Sequence, residues 1–535
     1  MRAKAPALPG NRRLAGLVLG LAALVVLAVV ALRTVGGGDE PPQSRADELV
    51  PEATLVFASL STDGDRDAVQ RAAELAGRFG AYDRARDALL QRLAGAEKGV
   101  DAERDVAPWL GDEAAFALID TGQSAAGSLV AVEVTDEDRA RTFLERNPRP
   151  AVRKVYKGHE TRRYGQVTTA FVRDFLVIGQ DPTVQAAIDR KDGGPKALAQ
   201  APTYRRALKG LPEGRVATAY ASADGVRRLL VPQGDVLGAL SVMLDQPALE
   251  GVALGVAAEE DDRVRVHVHS ALNAARQKAA PSPFEAFAPT LDEAVPEDAL
   301  AYLGASGVSG ALQRLVVAAV GGTQPGGEVG ELLSRLATDL DEQTDGGLRR
   351  DLLKLFEGEV ALVIQRQAPA PVLSIVAKTG DEGATRRTLD RLRDPLARLL
   401  RPRGEAKLTW DPVDLDGVDG WTLRLPNGAT ITYAVAGGRL ILSTAPDGIR
   451  AIAGGGESLA DAGAFEEVLG GRPEKVGTLG FLDFSQLLEL GEQTGLNDSR
   501  AYLAARDDLR KVRAIGVSST SGEGESTAEI LVSIP

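Results

Sequence analysis

The sequence predicts an α+β protein: an N-terminal transmembrane helix followed by two tandem homologous α+β repeats with mainly antiparallel sheets. Three observations lead there. Leu14 to Leu32 is an uncharged apolar run. VPEATLVFAS, from Val50, returns as VPEDALAYLG, from Val295. Each half then alternates hairpin-like strands with helices, without the regular strand-helix-strand rhythm of a parallel sheet, and the helices are expected to cover one sheet face.

The apolar run, LAGLVLGLAALVVLAVVAL, has about 19 residues at ~1.5 Å rise each, enough to cross ~30 Å of hydrocarbon. Arg2, Lys4, Arg12 and Arg13 precede it, whereas Asp39 and Glu40 soon follow. That basic bias retains the N-terminus in the cytoplasm and sends the rest outside the cell membrane. A cleaved signal peptide would have a shorter apolar part and an A-x-A-like site, which VVALR does not offer. The expected organisation is a cytoplasmic tail at 1–13, an anchor at 14–32, a tether at 33–47, a first repeat at 48–272, a linker at 273–293 and a second repeat at 294–535. Glycines, a proline pair and charges in RTVGGGDEPPQSRAD suit the tether, and Pro281, Pro283 and Pro289 mark the linker.

In the first repeat, Thr54 to Leu60 reads as a strand and Asp63-Gly64-Asp65 as a turn and helix cap. Val69, Ala72, Leu75, Phe79, Tyr82, Leu89 and Leu93 then recur at helical spacing. The polar side of that helix mixes both charge signs, so it faces a core, not a lipid surface. Ala114–Asp120 and Ser128–Thr135 read as strands, Asp136–Asn147 as a helix, and Arg173-Asp174 as a tight turn between apolar strands. Helices follow from Pro182 and near Tyr204, and strands at 216–221 and 252–258. The last strand alternates Val264, Val266 and Val268 with Arg265, His267 and His269, which predicts one apolar and one solvated face.

The second repeat keeps this order. Glu359 to Ile364 matches Glu113 to Leu118, and LSIVAKT from Leu373 matches LVAVEVT from Leu129. FLVIGQDPTVQAAI, from Phe175, meets RLILSTAPDGIRAI, from Arg439, without a gap. KALAQAPTYRRAL, from Lys196, aligns with ESLADAGAFEEVL, from Glu457, placing Tyr204 opposite Phe465. A duplicated pair of this kind suggests a pseudo-symmetric interface or cleft, by analogy with homodimers.

Composition narrows the functions. At 535 residues with 44% hydrophobic and 26% charged residues, the chain exceeds one core and is ordinary globular material. A net charge of −13 opposes docking on a polyanion, so nucleic acid is not an expected partner. The chain has no Cys, which removes disulfides, thiolate metal sites and thiol catalysis. His267 and His269 share a strand face without an evident third ligand, which reads as a solvated face, not a metal site. DPVDLDGVDG, with Asp414, Asp416 and Asp419, lacks the spacing and distant Glu of a calcium loop and reads as a hairpin with Asp-Gly turns. G-x-S-x-G, S-x-x-K, H-E-x-x-H and phosphate-loop motifs are missing. No catalytic, cofactor-binding or metal residue is therefore assigned, and no cofactor.

The Val-Pro-Glu strand opening each half, the FLVIGQDPTVQAAI type of strand-to-helix motif and the N-terminal anchor together resemble an uncharacterised bacterial envelope family, domain of unknown function 3352. The resemblance covers most of the chain after the tether. It implies a high-GC bacterial source and a cell-surface setting, and it implies no reaction. The expected function is a non-enzymatic binding or structural module of the envelope. Its partner would be an envelope protein, a wall component or an apolar ligand, held by the surface or cleft between the halves. The alternative is a hydrolase-like envelope enzyme of unrecognised type, which would show itself as a buried acid cluster in one pocket. A signalling role suffers from the short tail before Leu14.

Overall fold

A computed structural model describes residues 44–82, 84, 102–122, 126–146, 150–191, 194, 196–230, 247–259, 262–280, 285–308, 347–367, 370–401 and 407–535. The expected anchor at 14–32 lies outside them. Among the described residues no helix is long and apolar enough to cross a membrane. The described chain divides into two compact units, one of 44–276 with Ala505–Leu509, the other of Gln277–Ala504 with Arg510–Pro535.

The first unit is built on β1 (Thr54–Ser61), β2 (Leu110–Ile119), β3 (Gly127–Val134), β4 (Val152–Tyr156), β5 (His159–Tyr164), β6 (Val167–Val172), β7 (Phe175–Gly179), β8 (Ala217–Ser222), β9 (Leu249–Ala258) and β10 (Arg263–Leu272). Pairing runs β4-β5-β6-β7-β3-β2-β1-β8-β9-β10, antiparallel throughout. Its helices are α1 (Asp67–Gly77), α2 (Glu137–Glu145), α3 (Asp181–Lys191), α4 (Pro202–Leu208), α5 (Ala223–Leu230) and α6 (Ala274–Ala279).

Local chemistry places several of these elements as the sequence predicts. Asp136 caps α2 by accepting from the Arg139 amide. Arg173 and Asp174 form the two-residue turn between β6 and β7, with Arg173 at φ +51°. Asp63 bonds the Asp65 amide, as a turn requires, but gives α1 no side-chain cap.

The helices do not cover one face alone. On one side α3 packs on β3, β6 and β7, and α4 on β8, β9 and β10, around Phe57, Leu129, Val177, Ile188, Tyr204 and Tyr220. On the other side Trp109, Phe116, Val132 and Phe143 form a second core with Ala58 and Leu60. There the Trp109 and Phe143 rings stand 5.6 Å apart. The reason is visible in β2, where Ala114 to Ala117 alternate between the two cores, so a continuous apolar run is buried on both faces. Burying a side chain the size of Phe57 contributes about 1.5–3 kcal/mol.

The β10 alternation is not kept, Arg265 and His267 being half-buried like the valines. His269 is buried and its Nδ1 lies 2.8 Å from the Ala207 carbonyl oxygen of α4, while Val264, Val266 and Val268 are only half-buried. At His269, α4 thus covers the face expected to be solvated. A wall of small groups makes room: Gly210 has no Cβ where one would stand 2.7 Å from the His269 ring.

Close approach of α5 to β1 gives a stability prediction. A Cβ on Gly225 would fall 2.1 Å from the Leu55 carbonyl oxygen, which is backbone and cannot rotate aside. Gly225→Ala should therefore lower the unfolding free energy by about 1–3 kcal/mol, read as a fall in melting temperature. An unchanged melting temperature would contradict this packing.

The second unit comprises β11 (Ala299–Ser306), β12 (Glu359–Gln365), β13 (Val372–Lys378), β14 (Trp410–Asp414), β15 (Asp419–Arg424), β16 (Thr430–Ala436), β17 (Arg439–Ser443), β18 (Thr478–Asp483), β19 (Ala514–Gly522) and β20 (Glu525–Ser533). They pair in the order β14-β15-β16-β17-β13-β12-β11-β18-β19-β20, again antiparallel. Its helices are α7 (Gly347–Lys354), α8 (Glu382–Leu399), α9 (Pro446–Gly454), α10 (Gly463–Leu469), α11 (Phe484–Gln493) and the first half of α12 (Arg500–Leu509), whose residues from Ala505 on fall in the first unit. One core gathers Tyr302, Ile441, Ile452, Phe465 and Phe481, and a second gathers Leu389, Tyr433 and Leu440 with Trp410 and Trp421. The turn between β16 and β17 is Gly437-Gly438, at φ +58° and +71°, a conformation that glycine adopts without penalty.

Two expected boundaries shift. The tether's last residues, Ser44 to Asp47, are packed into the first unit, with Ala46 and Asp47 buried. In the expected linker, Phe287 and Leu291 are buried in the second unit, and Phe287 bridges to Val476. Apolar and hydrogen-bonding side chains within these Pro- and Gly-rich stretches outweigh their overall composition.

Candidate functional site

An apolar cleft of about 310 Å³ lies within the first unit, between α1 and the sheet. Its floor is Ala58 and Leu60 of β1, Ala217 and Ala219 of β8, and Leu254 and Val256 of β9; its roof is Val69, Ala72, Ala73 and Ala76. The cause is local. Val69 and Val216 seat the first turn of α1 on the sheet, after which the helix presents alanines to a floor that is itself rich in alanine. Small side chains on both sides cannot close the gap. Ser59, Ser61, Thr218 and Tyr82 supply the few polar groups at its walls, a balance suited to an apolar molecule with little hydrogen bonding.

Two other clefts adjoin the repeated Val-Pro-Glu segments. The one in the first unit, about 640 Å³, is lined by Pro51, Ile119 and Pro182 with Glu52, Asp120, Asp189 and Lys196. The one in the second unit, about 210 Å³, lies beside Pro296, Arg439 and Glu457. At the rim of the latter, Glu297 has its pKa raised by the neighbouring charge of Glu457, then by desolvation.

Elsewhere each unit buries a pair of carboxylates, Asp47 with Glu113 in the first and Asp292 with Glu359 in the second. In the first, Glu113 of β2 accepts from the amides of Arg45 (2.7 Å) and Ala46 (3.2 Å) and from the Ser44 hydroxyl. Burial pushes its carboxyl up, while those hydrogen bonds draw it back. Asp47, 8% exposed, is pushed up to about 7 by burial first and by the Glu113 charge second. The Tyr204 hydroxyl lies against Asp47 and opposes that rise, yet Asp47 Oδ1 has no hydrogen-bond partner of good geometry. Burial, then the Asp47 charge, drives the Tyr204 hydroxyl well above the ordinary tyrosine range.

In the second unit, Glu359 of β12 accepts from the Thr290 amide (2.9 Å), the Leu291 amide (3.0 Å) and the Thr290 hydroxyl (2.6 Å). Asp292 is buried, and its Oδ2 is 2.6 Å from the Arg472 guanidinium. Burial raises its pKa and Arg472 lowers it. Arg472 also stands over the Phe465 ring, 5.2 Å from its centroid.

These acids are in the interior. None of Asp47, Glu113, Asp292 and Glu359 lines any of the three clefts. Their hydrogen bonds instead fix the segment that leads into the first strand of each unit. That is a structural task, and it supplies no substrate-accessible acid to a hydrolase mechanism.

The candidate ions of the sequence reading fall as follows. DPVDLDGVDG forms the β14–β15 hairpin, in which Asp414 Oδ1 accepts from the Gly417 amide at 2.7 Å and Asp416 pairs with Arg450. His269 is buried under α4. Among the described residues no group of three or more His, Asp or Glu could hold a metal ion. Glu113 and Glu359 figure in the sequence reading only as the starts of two matching strands and Asp47 as the end of the tether, while Asp292 and Arg472 do not figure in it at all.

Residues 14–534 match the family described as protein of unknown function, DUF3352. The chain belongs to this family. No curated protein matches this DUF3352 chain. Among solved structures it is similar to crystal form I of TP0453, with 8% identity and a TM-score of 0.27, over 43% of this chain and 79% of that one. Crystal form III of TP0453 has 10% identity and a TM-score of 0.26, covering 42% and 78%.

Proposed function

We propose that this DUF3352 protein is a non-enzymatic binding module of the bacterial envelope, anchored by Leu14–Leu32 with its folded units outside the membrane. It takes an apolar ligand in the cleft beneath α1. The cleft carries the reading: about 310 Å³ of space walled by alanine, valine and leucine is at the lower end of small-molecule sites, and its walls offer chiefly dispersion contacts. The anchor rests on the uncharged run and the basic residues before it.

On the same reading the chain is a tandem duplication. The support is that each unit's strands pair in the same order along the chain, and that a glutamate of the second strand, paired with a serine of the first, anchors the entering segment in both.

The test uses the full chain purified in detergent. Organic extraction followed by mass spectrometry should release an apolar molecule at near-equal amount to protein, and a fluorescent polyene fatty acid should compete for the site. Ala72→Trp, which fills the cleft from its roof, should reduce that fluorescence by at least tenfold without lowering the melting temperature by more than a few degrees. A wild-type protein that neither releases nor binds apolar molecules refutes the reading.

A further inference from the structure

The two buried aspartates differ in one respect that the fold does not require. Asp292 has Arg472 at 2.6 Å. Arg472 lies seven residues after Phe465 of α10, whereas seven residues after Tyr204 of α4 stands Leu211, buried among apolar groups. Asp47 therefore has no guanidinium supplied from that direction.

The groups that do face Asp47 are Glu48 in its own turn, Glu113 from β2 and Tyr204 from α4. Beyond Tyr204, the Arg215 guanidinium is committed to the Thr218 hydroxyl (3.1 Å) and the Pro212 carbonyl (2.8 Å). Beyond Glu113, the Arg45 side chain pairs with Glu133 (2.5 Å) and Asp174 (3.3 Å). Every carboxylate near Asp47 repels its charge, and no cation among the described residues is set against it. One of its oxygens lacks a partner.

The segment that Asp47 sits in is held by the burial of Ala46, Leu49 and Val50 and by ion pairs of Arg45 and of Glu48 with Arg173, which leave the Asp47 carboxylate as its uncompensated charge. The amides of Arg45 and Ala46 bond Glu113, the Leu198 amide bonds the Val50 carbonyl (2.9 Å), and the Glu52 amide bonds the Lys196 carbonyl (2.8 Å). Two adjacent buried carboxylates cannot both ionise without strong repulsion.

We infer that Asp47 is a proton-dependent latch: protonated, it keeps residues 44–50 seated on the first unit, and ionised, it loosens that segment while the Arg472-paired counterpart in the second unit stays in place. The segment is the one that enters from the expected tether, so the latch sets how tightly the first unit is drawn to its own N-terminal arm. It is independent of what the cleft beneath α1 holds.

Hydrogen exchange on the full chain in lipid nanodiscs, corrected for the intrinsic pH dependence of amide exchange, tests this between pH 5.5 and 8.5. Peptides covering 44–50 should lose at least tenfold of their protection as pH rises, while peptides covering 290–295 lose much less. Asp47→Asn should abolish the pH-dependent loss in 44–50, and Leu211→Arg, which offers the missing cation, should shrink it. Constant protection of 44–50 in the wild type overturns the latch, as does a loss that persists in Asp47→Asn. Equal loss in both segments identifies general unfolding and overturns it too.

Discussion

Replacing Arg472 by leucine is expected to destabilise the second unit by about 3–5 kcal/mol at pH 8, because it strands a buried aspartate without its counter-ion. Asp292 has a side chain only 1% exposed, and its Oδ1 already lacks a hydrogen-bond partner. The guanidinium at 2.6 Å is what offsets the desolvation of its charge. Leucine leaves the Phe465 ring partly covered but removes the cation over its face. The loss should shrink as pH falls, since protonating Asp292 removes the stranded charge. Adding Asp292→Asn should restore most of the stability, with the double variant less perturbed than Arg472→Leu alone. Trp410 and Trp421 report on this unit and Trp109 on the first, so denaturant unfolding followed by fluorescence can assign the change. A loss below about 1 kcal/mol would mean that the pair contributes no more than an exposed one.

What the sequence made legible depended on whether a feature was written locally. The hairpin at Arg173-Asp174, the helix that begins beside Asp136 and the strands opening on Val-Pro-Glu each follow from neighbouring residues, and the structure has them. Burial of β2 on both faces was written in its unbroken apolar run, AAFALI, but the run alone does not say which helix lies on which side. The polarity of β10 failed for a different reason. Histidine among valines looks like a solvated face, yet a ring whose Nδ1 meets a helix carbonyl is an acceptable core residue.

The buried acids were hidden by distance along the chain. Asp47 and Asp292 each lie three residues before the repeated Val-Pro-Glu, in ADELVPE and LDEAVPE, and that shared Asp-Glu was the available signal. Its partners are remote: Glu113 is 67 residues from Ala46, and Arg472 is 180 from Asp292. Nothing in spacing links such residues. The cleft was equally illegible, because Ala72 fits a core-facing helical stripe whether or not the opposite wall reaches it.

For Asp47→Asn, the expectation is a change in the shape of the stability profile with pH. Asp47 is raised from the ordinary 3.8 to about 7 in the folded protein, so between those values the folded state holds a proton that the unfolded state has released. Stability from this residue is fully present below about pH 4, falls as pH rises towards 7 and is flat above. The fall is on the order of 4 kcal/mol as an upper bound, since each pH unit between the two values is worth ~1.4 kcal/mol. Asparagine cannot ionise, so its profile should lack that limb. The variant should be no more stable than wild type near pH 4 and more stable by up to a few kcal/mol near pH 8, read from urea unfolding followed at Trp109 in the first unit. The sign is opposite to that for Arg472→Leu, although both concern an aspartate at the same place before Val-Pro-Glu. Removing the counter-ion creates the unpaired charge in one unit, and removing the charge relieves it in the other. Parallel profiles for Asp47→Asn and wild type across pH 4 to 8 would show that Asp47 carries no such burden, and that the arm is held by Glu113 alone.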